Sequence, residues 1–426
     1  MKKILIFSYF FTPCNLTASQ RALGWVKYLH KFGYYPTMIT RNWDVEIKEQ
    51  KDISKMSGQS IIHEKYDTHE VYYLPYKGNL RDKLFSKYGE KYSFVRKTLS
   101  LIELIGSNYS NIFIPFSQIY FFSKQLVAKN NFKALIITAN PFILFRFGYL
   151  LNKKFNIPWI ADYRDDWSTS ELTDKNGALN KLLHILDCRS EKKWIKNAKF
   201  ITSVSPSYTN KISNFTGVKG EILYNGFFEE EYKDIDPKPL FKEITLTYNG
   251  TLYATQNVEI FIEGFKKAIK YLKGSSKKLR LYFPGLDFKP DQGKRIRNLL
   301  KGYEDFYIIT DRISRNEVLK IQQKSHALLM FPHNNIKGIP SSKLYEYLGL
   351  RKPILVSPSD HDILEKTLLE TNSGKVCNAS EEVFNFLLML VSNYAKNIEE
   401  FSFENRLLYS RKEQTKKLAQ LLDSID

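Results

Sequence analysis

Ile4-Leu5-Ile6-Phe7-Ser8-Tyr9-Phe10, a short apolar run followed by a loop and then by apolar residues at helical spacing, reads as the start of a βαβ unit. The helix is expected from about Thr17 or Ser19 to Phe32. Ala22, Leu23, Trp25, Val26, Leu29 and Phe32 keep its period, and Gly33 is placed to end it. A second strand, Pro36 to Thr40, follows at once. Two parallel strands joined by a helix form a right-handed crossover, and sheets of this kind take ligands at the carboxyl ends of their strands. The first strand resembles a signal peptide for a few residues. Its apolar run, however, stops at Thr12-Pro13 without a small-residue cleavage site, so a buried strand is the better reading.

The same rhythm recurs. Strands are expected at Ala134 to Thr138, Pro158 to Ala161 and Phe200 to Val204, with helices at Phe142 to Phe155 and Leu179 to Asn197. Residues 229–243, with three consecutive glutamates and Pro237 and Pro239, read as a linker. Beyond it the pattern restarts with strands at Ile244 to Tyr248, Leu279 to Phe283, Phe306 to Ile309, Ala327 to Phe331 and Pro353 to Val356. The expected class is therefore α/β, with two Rossmann-like doubly wound domains at 1–228 and 244–402. A last helix within 403–426 is expected to return to the first domain.

The 426 residues suffice for two such cores, and the apolar content is that of a soluble globular chain. Three widely separated cysteines, Cys14, Cys188 and Cys377, argue for a reducing compartment and against a zinc site. The longest apolar stretch, Ile112 to Phe122, is interrupted by Pro115, Ser117 and Gln118. It is about half of the ~20 residues a membrane span needs, so an integral membrane protein is not expected; a cytoplasmic location is the expectation that goes with the reducing compartment.

The net charge is +19 (64 Lys and Arg less 45 Asp and Glu), and it is unevenly placed. Residues 77–133 carry ten Lys or Arg against Asp82, Glu90 and Glu103, interleaved with many aromatic side chains. A solvated face and an anionic membrane surface both fit. Nucleic acid is not expected as a partner, because no motif of a known nucleic-acid fold accompanies the charge.

Gly338-Ile339-Pro340-Ser341-Ser342-Lys343-Leu344-Tyr345-Glu346 carries the most chemistry. Pro340 fits at or before the first helical position, Ser341 or Ser342 can cap the free N–H groups, and the apolar face begins at Leu344. Such a helix end attracts a phosphate, Lys343 adds a mobile charge, and Glu346 one turn deeper can accept from ribose hydroxyls. An ordinary capped surface helix is the competing reading.

Taken together, several motifs are similar to GT-B glycosyltransferases, specifically to glycosyltransferase family four of the kind that builds bacterial surface polysaccharides. They are Tyr9-Phe10-Phe11-Thr12-Pro13 with Arg21; Ile157 to Trp167, containing Asp162-Tyr163-Arg164-Asp165-Asp166; Ser203-Val204-Ser205-Pro206; Tyr224-Asn225-Gly226-Phe227; Tyr248-Asn249-Gly250-Thr251; and Pro340 to Leu348 followed by Lys352-Pro353-Ile354-Leu355. The resemblance implies a nucleotide-sugar donor held by the second domain, a glycan or lipid-linked acceptor held by the first, and reaction in the cleft that the domains face. It also implies retention of anomeric configuration, no metal and no cofactor, at the inner face of the cell membrane. Where the family has a Gly-Gly pair in the first loop, this chain has Asn15-Leu16-Thr17-Ala18-Ser19. Where the family has an Arg and a Lys soon after the equivalent of Gly250, it has Tyr253-Ala254-Thr255-Gln256-Asn257. Phosphate charge is then expected to fall mainly on Lys343.

Departure of a nucleoside diphosphate leaves negative charge on phosphate and positive charge at the anomeric carbon, so cations and N–H groups are needed at one end. The expected donor-binding residues are Asn249, Gly250, Thr251, Arg312, Pro340, Ser341, Ser342, Lys343 and Glu346. Asp165 is the expected catalytic group toward the acceptor hydroxyl, with Asp162 beside it and Arg21 and Arg164 on the acceptor side. Structural ion pairing of Asp162 or Asp166 with Arg164 competes with this reading, and so does a carboxylate pair holding Mg²⁺. For the whole chain the alternatives are a nucleotide-sugar epimerase of the same fold and a non-catalytic basic protein that binds membrane or nucleic acid.

Overall fold

The computed structural model describes residues 1–44, 46–47, 50–173, 176–339, 341–396 and 400–425. The chain divides into two compact units, one made of Met1–Tyr224 with Arg411–Asp426, the other of Asn225–Ser410.

The first unit is built on β1 (Lys2–Ser8), β2 (Tyr34–Arg41), β3 (Ile62–Lys65), β4 (Glu70–Leu74), β5 (Ala134–Ala139), β6 (Trp159–Tyr163), β7 (Phe200–Ser203) and β8 (Gly220–Ile222). They lie in the order β3-β4-β2-β1-β5-β6-β7-β8, and only the β3–β4 pair is antiparallel. The central strands are buried on both faces, which is why β1 and β5 are continuous apolar runs and not alternating ones. The first helix runs Ser19–Tyr28 and tightens into a 3₁₀ turn, Leu29–Phe32. Gly33 ends it at φ 84, a left-handed conformation that glycine adopts without steric cost.

The second unit repeats the design with β9 (Ile244–Thr247), β10 (Leu279–Phe283), β11 (Tyr307–Ile309), β12 (Ala327–Met330), β13 (Ile354–Val356) and β14 (Gly374–Val376). Their order is β11-β10-β9-β12-β13-β14, all parallel. Strand order reverses between β1 and β5 in one sheet and between β9 and β12 in the other. These are the switch points at which doubly wound sheets open a crevice.

Two boundaries differ from expectation. Residues 225–228, assigned above to the first domain, and the supposed linker 229–243 belong to the second unit. Tyr232 is buried against Gly349, where an added Cβ would lie 2.7 Å from the tyrosine ring. Arg351 Nη2 and Lys352 Nζ donate to the carbonyls of Ile235 (2.7 Å) and Pro237 (2.5 Å). The proline-rich composition marks irregular backbone here, but that backbone is pinned by buried donors.

The C-terminal helix is also shorter than expected. Asn405 is left-handed and Ser410 is extended, so the segment forms a 3₁₀ turn, Arg406–Tyr409, and then a helix, Arg411–Asp423. The turn stays with the second unit, where Tyr409 is buried and donates to Glu370 Oε2 at 2.5 Å. The helix packs on the first helix of the first unit. Gly24 allows the approach, since an added Cβ would lie 3.2 Å from Arg411 Cδ. Leu418 and Leu422 enter the core beside Trp25, Val26 and Leu29. Each wholly buried leucine contributes roughly 1.5–3 kcal/mol.

Candidate functional site

In the second unit the chain leaves β9, at the switch point, through Tyr248-Asn249-Gly250-Thr251. Gly250 has φ +78 and donates its N–H to the Pro284 carbonyl at 2.8 Å. Gly285, at the end of β10, has φ +81, and its absent Cβ would lie 3.7 Å from Gly250 Cα. Two bare turns thus meet at adjacent strand ends, and both backbones can approach a ligand. Gly285 N–H donates to Thr310 Oγ1 (3.2 Å) after β11, which draws a third strand end into the same place.

The helix Ser342–Leu350 begins at Ser341, whose Oγ accepts the Lys343 N–H at 3.3 Å, while Ser342 is exposed. Pro340 lies outside the described residues. Lys343 reaches back to β9: its Nζ donates to Tyr248 OH at 3.2 Å and stands 4.5 Å from that ring's centroid. The buried phenol donates in turn to the Thr251 carbonyl at 2.9 Å, so its oxygen faces the ammonium as acceptor. Lys343 is thereby held beside the bare backbone of Gly250, from whose missing Cβ its Cε would be 3.9 Å away.

Glu346 is tied to the same strand end through Gln322. The Gln322 Nε2 group donates to Glu346 Oε1 (2.6 Å) and to Asn249 Oδ1 (3.0 Å), and Tyr347 OH donates to the same Asn249 oxygen (2.7 Å). Burial holds the Glu346 carboxyl above the usual glutamate range, and nearby Glu231 adds to the shift. The Gln322 bond and the charges of Arg315 and Lys343 oppose it.

The structure therefore brings Asn249, Gly250, Thr251, Ser341, Lys343 and Glu346 together. Arg312 is exposed and lies 5.6 Å from the Phe288 ring. Three groups were not anticipated. Tyr248 and Gln322 position Lys343 and Glu346, and no local motif marks a glutamine near a helix end for that task. The third is Lys289, whose Nζ stands 4.3 Å from the Tyr253 ring and gives the uncharged loop after Gly250 a cation from elsewhere in the chain. In the same loop Thr255 Oγ1 is 2.7 Å from His333 Nδ1, and burial and the Lys343 charge lower the pKa of that histidine.

The first-unit carboxylates separate into different roles. Asp162, at the end of β6, is wholly buried and forms a bidentate pair with Arg21, 2.9 Å from Nε and 2.6 Å from Nη2. Thr202 Oγ1 donates to it as well, at 2.6 Å, and Arg21 Nη1 serves the carbonyls of Leu223 (2.9 Å) and Tyr224 (3.1 Å). Asp162, expected to be catalytic, and Arg21, expected on the acceptor side, are thus paired with each other. Both are closed off from solvent, and they pin three strand ends and the chain exit of the first unit to one another. Their partner is also not Arg164, which contacts Asp165 at 3.3 Å. Asp165 itself is exposed and open to a substrate. Asp166 is buried, with its carboxyl pushed up by burial despite Lys211 at 3.9 Å.

Among the described residues no three His, Cys, Asp or Glu side chains group as a metal site would require, and no helix is long and apolar enough to cross a membrane. No protein-family model matches the chain, and no curated protein matches it by sequence. Solved structures do match. A glycosyltransferase from Rickettsia africae ESF-5 aligns with TM-score 0.60 at 12% identity, over 100% of this chain and 98% of that one. Sucrose-phosphate synthase from Thermosynechococcus elongatus aligns with TM-score 0.55 at 13% identity, over 99% and 98%. HepE of Anabaena in complex with UDP and glucose aligns with TM-score 0.56 at 11% identity, over 100% of both chains. At such identities the likeness speaks for architecture, and the architecture of this chain is the GT-B fold, two parallel-sheet α/β domains in succession.

Proposed function

We propose that the protein is a glycosyltransferase that moves a sugar from a nucleoside diphosphate donor to a glycan acceptor, with retention at the anomeric carbon. The observation that carries this reading is Lys343, fixed by Tyr248 beside the half-buried turn of Gly250, with Glu346 one helical turn away. The leaving diphosphate takes its charge to Lys343 and the first N–H groups of the helix, and Glu346 accepts from the ribose hydroxyls. The anomeric C–O bond to phosphate breaks and a bond to the acceptor oxygen forms. Asp165 orients that hydroxyl or takes its proton. No metal or cofactor is needed in this scheme. The UDP and glucose in the HepE structure support the choice of ligand class by analogy of fold. Incubating the protein with a panel of nucleotide sugars tests it: donor-dependent glycan product is expected, whereas a rearranged free nucleotide sugar in the absence of acceptor points to an epimerase.

Glu346 gives the reading a pH signature. It accepts ribose hydroxyls best when ionised, and burial raises its pKa above that of an ordinary glutamate, so kcat/KM is expected to fall as pH drops through the raised value. Glu346→Gln should bind donor more weakly and lose that acid limb. An unchanged pH profile in the variant would detach Glu346 from the donor.

The acceptor is proposed to be lipid-linked, part of cell-surface polysaccharide synthesis in a bacterium, with the protein peripheral on the inner face of the membrane. Support comes from residues 77–133. Phe94, Tyr109 and Ile112 are 81%, 79% and 85% exposed on and after the helix Ser93–Ser107. The three acids of the segment are occupied: Arg81 holds Asp82 (2.9 Å) and Glu103 (3.0 Å), and Arg96 holds Glu90 (2.5 Å). The eight lysines Lys77, Lys83, Lys87, Lys91, Lys97, Lys124, Lys129 and Lys133 carry the rest of its positive charge. Each cation near an acidic leaflet adds about 1 kcal/mol. Sedimentation with phosphatidylglycerol vesicles, weakened by salt and by Phe94→Ser, is the expected result; equal sedimentation with neutral vesicles would remove the charge argument.

A further inference from the structure

The second unit also holds a cavity of about 620 Å³ that is built around other strand ends. His326 enters it just before β12, Arg351 and Pro353 just before β13, Tyr394 from the helix Ser380–Lys396, and Arg406 from the 3₁₀ turn near the chain's return. These are the amino-terminal ends of the strands, whereas Gly250 and its neighbours occupy the carboxyl ends. The volume is that of a small-molecule site.

The charged side chains on its described wall are mostly cationic: Lys238, Arg351 and Arg406. His326 is 5% exposed, and its Nδ1 accepts the Thr245 N–H at 3.1 Å. Burial, with the charge of Lys352 behind it, brings its pKa down to about 4, so the ring is neutral and its one proton sits on Nε2. That Nε2–H has no hydrogen-bond partner, and the Tyr394 ring stands edge-on to the imidazole with centroids 4.4 Å apart. Arg351 Nε–H is likewise without a partner. Both orphans are donors, but both are wholly buried, so they lie behind the wall and do not open into the cavity. Arg406 adds a second guanidinium, within the field of Arg351. Among the described residues Glu400 is the one carboxylate on the wall, and it already accepts from Asn393 Nδ2 at 3.0 Å.

We propose that this cavity binds a small anion, a phosphate monoester or carboxylate carried on an apolar or aromatic body, whose oxygens accept from the guanidinium groups of Arg351 and Arg406. Leu390 and Phe401 supply the apolar wall for the body. Arg351 is also the left-handed residue that ends the helix Ser342–Leu350, whose first turn carries Lys343. One helix therefore has a different site at each end.

Calorimetric titration of the full chain with phenyl phosphate, benzoate, inorganic phosphate and phenol tests the assignment. Saturable binding of phenyl phosphate or benzoate is expected, tighter than that of inorganic phosphate, with none for phenol; which of the two aryl anions binds better identifies the anionic group. Arg406→Gln, at a half-buried position, should weaken binding by about tenfold or more, as loss of a charged hydrogen bond does. Lys343→Ala should leave it unchanged, which separates the cavity from the donor site. Absence of saturable binding by either aryl anion, equal affinity in Arg406→Gln, or loss of binding in Lys343→Ala would each overturn the proposal.

Discussion

Lys343→Ala is expected to lower kcat by about 10²–10³-fold, the usual cost of removing one preorganised group that stabilises developing charge. The size follows from how the ammonium is held. Tyr248 OH has already given its proton to the Thr251 carbonyl and can only accept from Lys343, so the cation is fixed before a ligand arrives. Lys289 stands over Tyr253 in the neighbouring loop and is exposed, and a mobile lysine there does not replace a positioned one. Thermal stability should hardly change, because the lost side chain is partly solvated and leaves no buried carboxylate unpaired. Full turnover by a correctly folded Lys343→Ala protein would reject the donor site as placed.

The second large effect concerns stability. Asp162→Ala strands a buried guanidinium, 4% exposed, with two carbonyls for company and no counter-charge. Breaking a buried pair on one side costs about 3–5 kcal/mol, and the loss should appear as a lower urea midpoint at an unchanged slope. The same experiment separates support from chemistry. If Asp162 is structural, the fraction that remains folded keeps wild-type kcat; a variant that unfolds normally yet has no turnover would return Asp162 to the catalytic set.

The parallel architecture was readable because its signals are local. Leu279–Phe283 matches its expected span, and β1, β5, β9 and β12 agree to within one or two residues at most ends, since a doubly buried strand is a continuous apolar run between turn residues. The edge pair β3 and β4 was not foreseen. His63-Glu64-Lys65 is polar and exposed, and an edge strand of that kind resembles a loop until its partner is known. The helices at Leu80–Tyr88 and Ser93–Ser107 were hidden for a related reason: exposed apolar side chains blur the periodicity that marks a helix packed on a core.

At the candidate site, Lys343, Glu346 and Gly250 carried their own motifs. Gln322 and Lys289 did not, because their roles arise from contacts across 73 residues to Asn249 and across about half that stretch to Tyr253. Asp162 shows the opposite failure. Its acidic run looked chemical, but alternation along β6 turned one carboxylate inward to Arg21, 141 positions earlier, and spacing alone does not tell a pair that holds strands from one that holds substrate.

The seating of the Arg411–Asp423 helix on the first helix of the first unit has a temporal corollary. A ribosome delivers Trp25 and Val26 some four hundred residues before the leucines that cover them. Throughout that interval an oily stripe of the early-made unit has no lid, while an entire second sheet is being synthesised and folded. The protein is thus vectorially incomplete until its last turns emerge, and a nascent chain stalled within residues 225–410 exposes the sort of surface that chaperones hold.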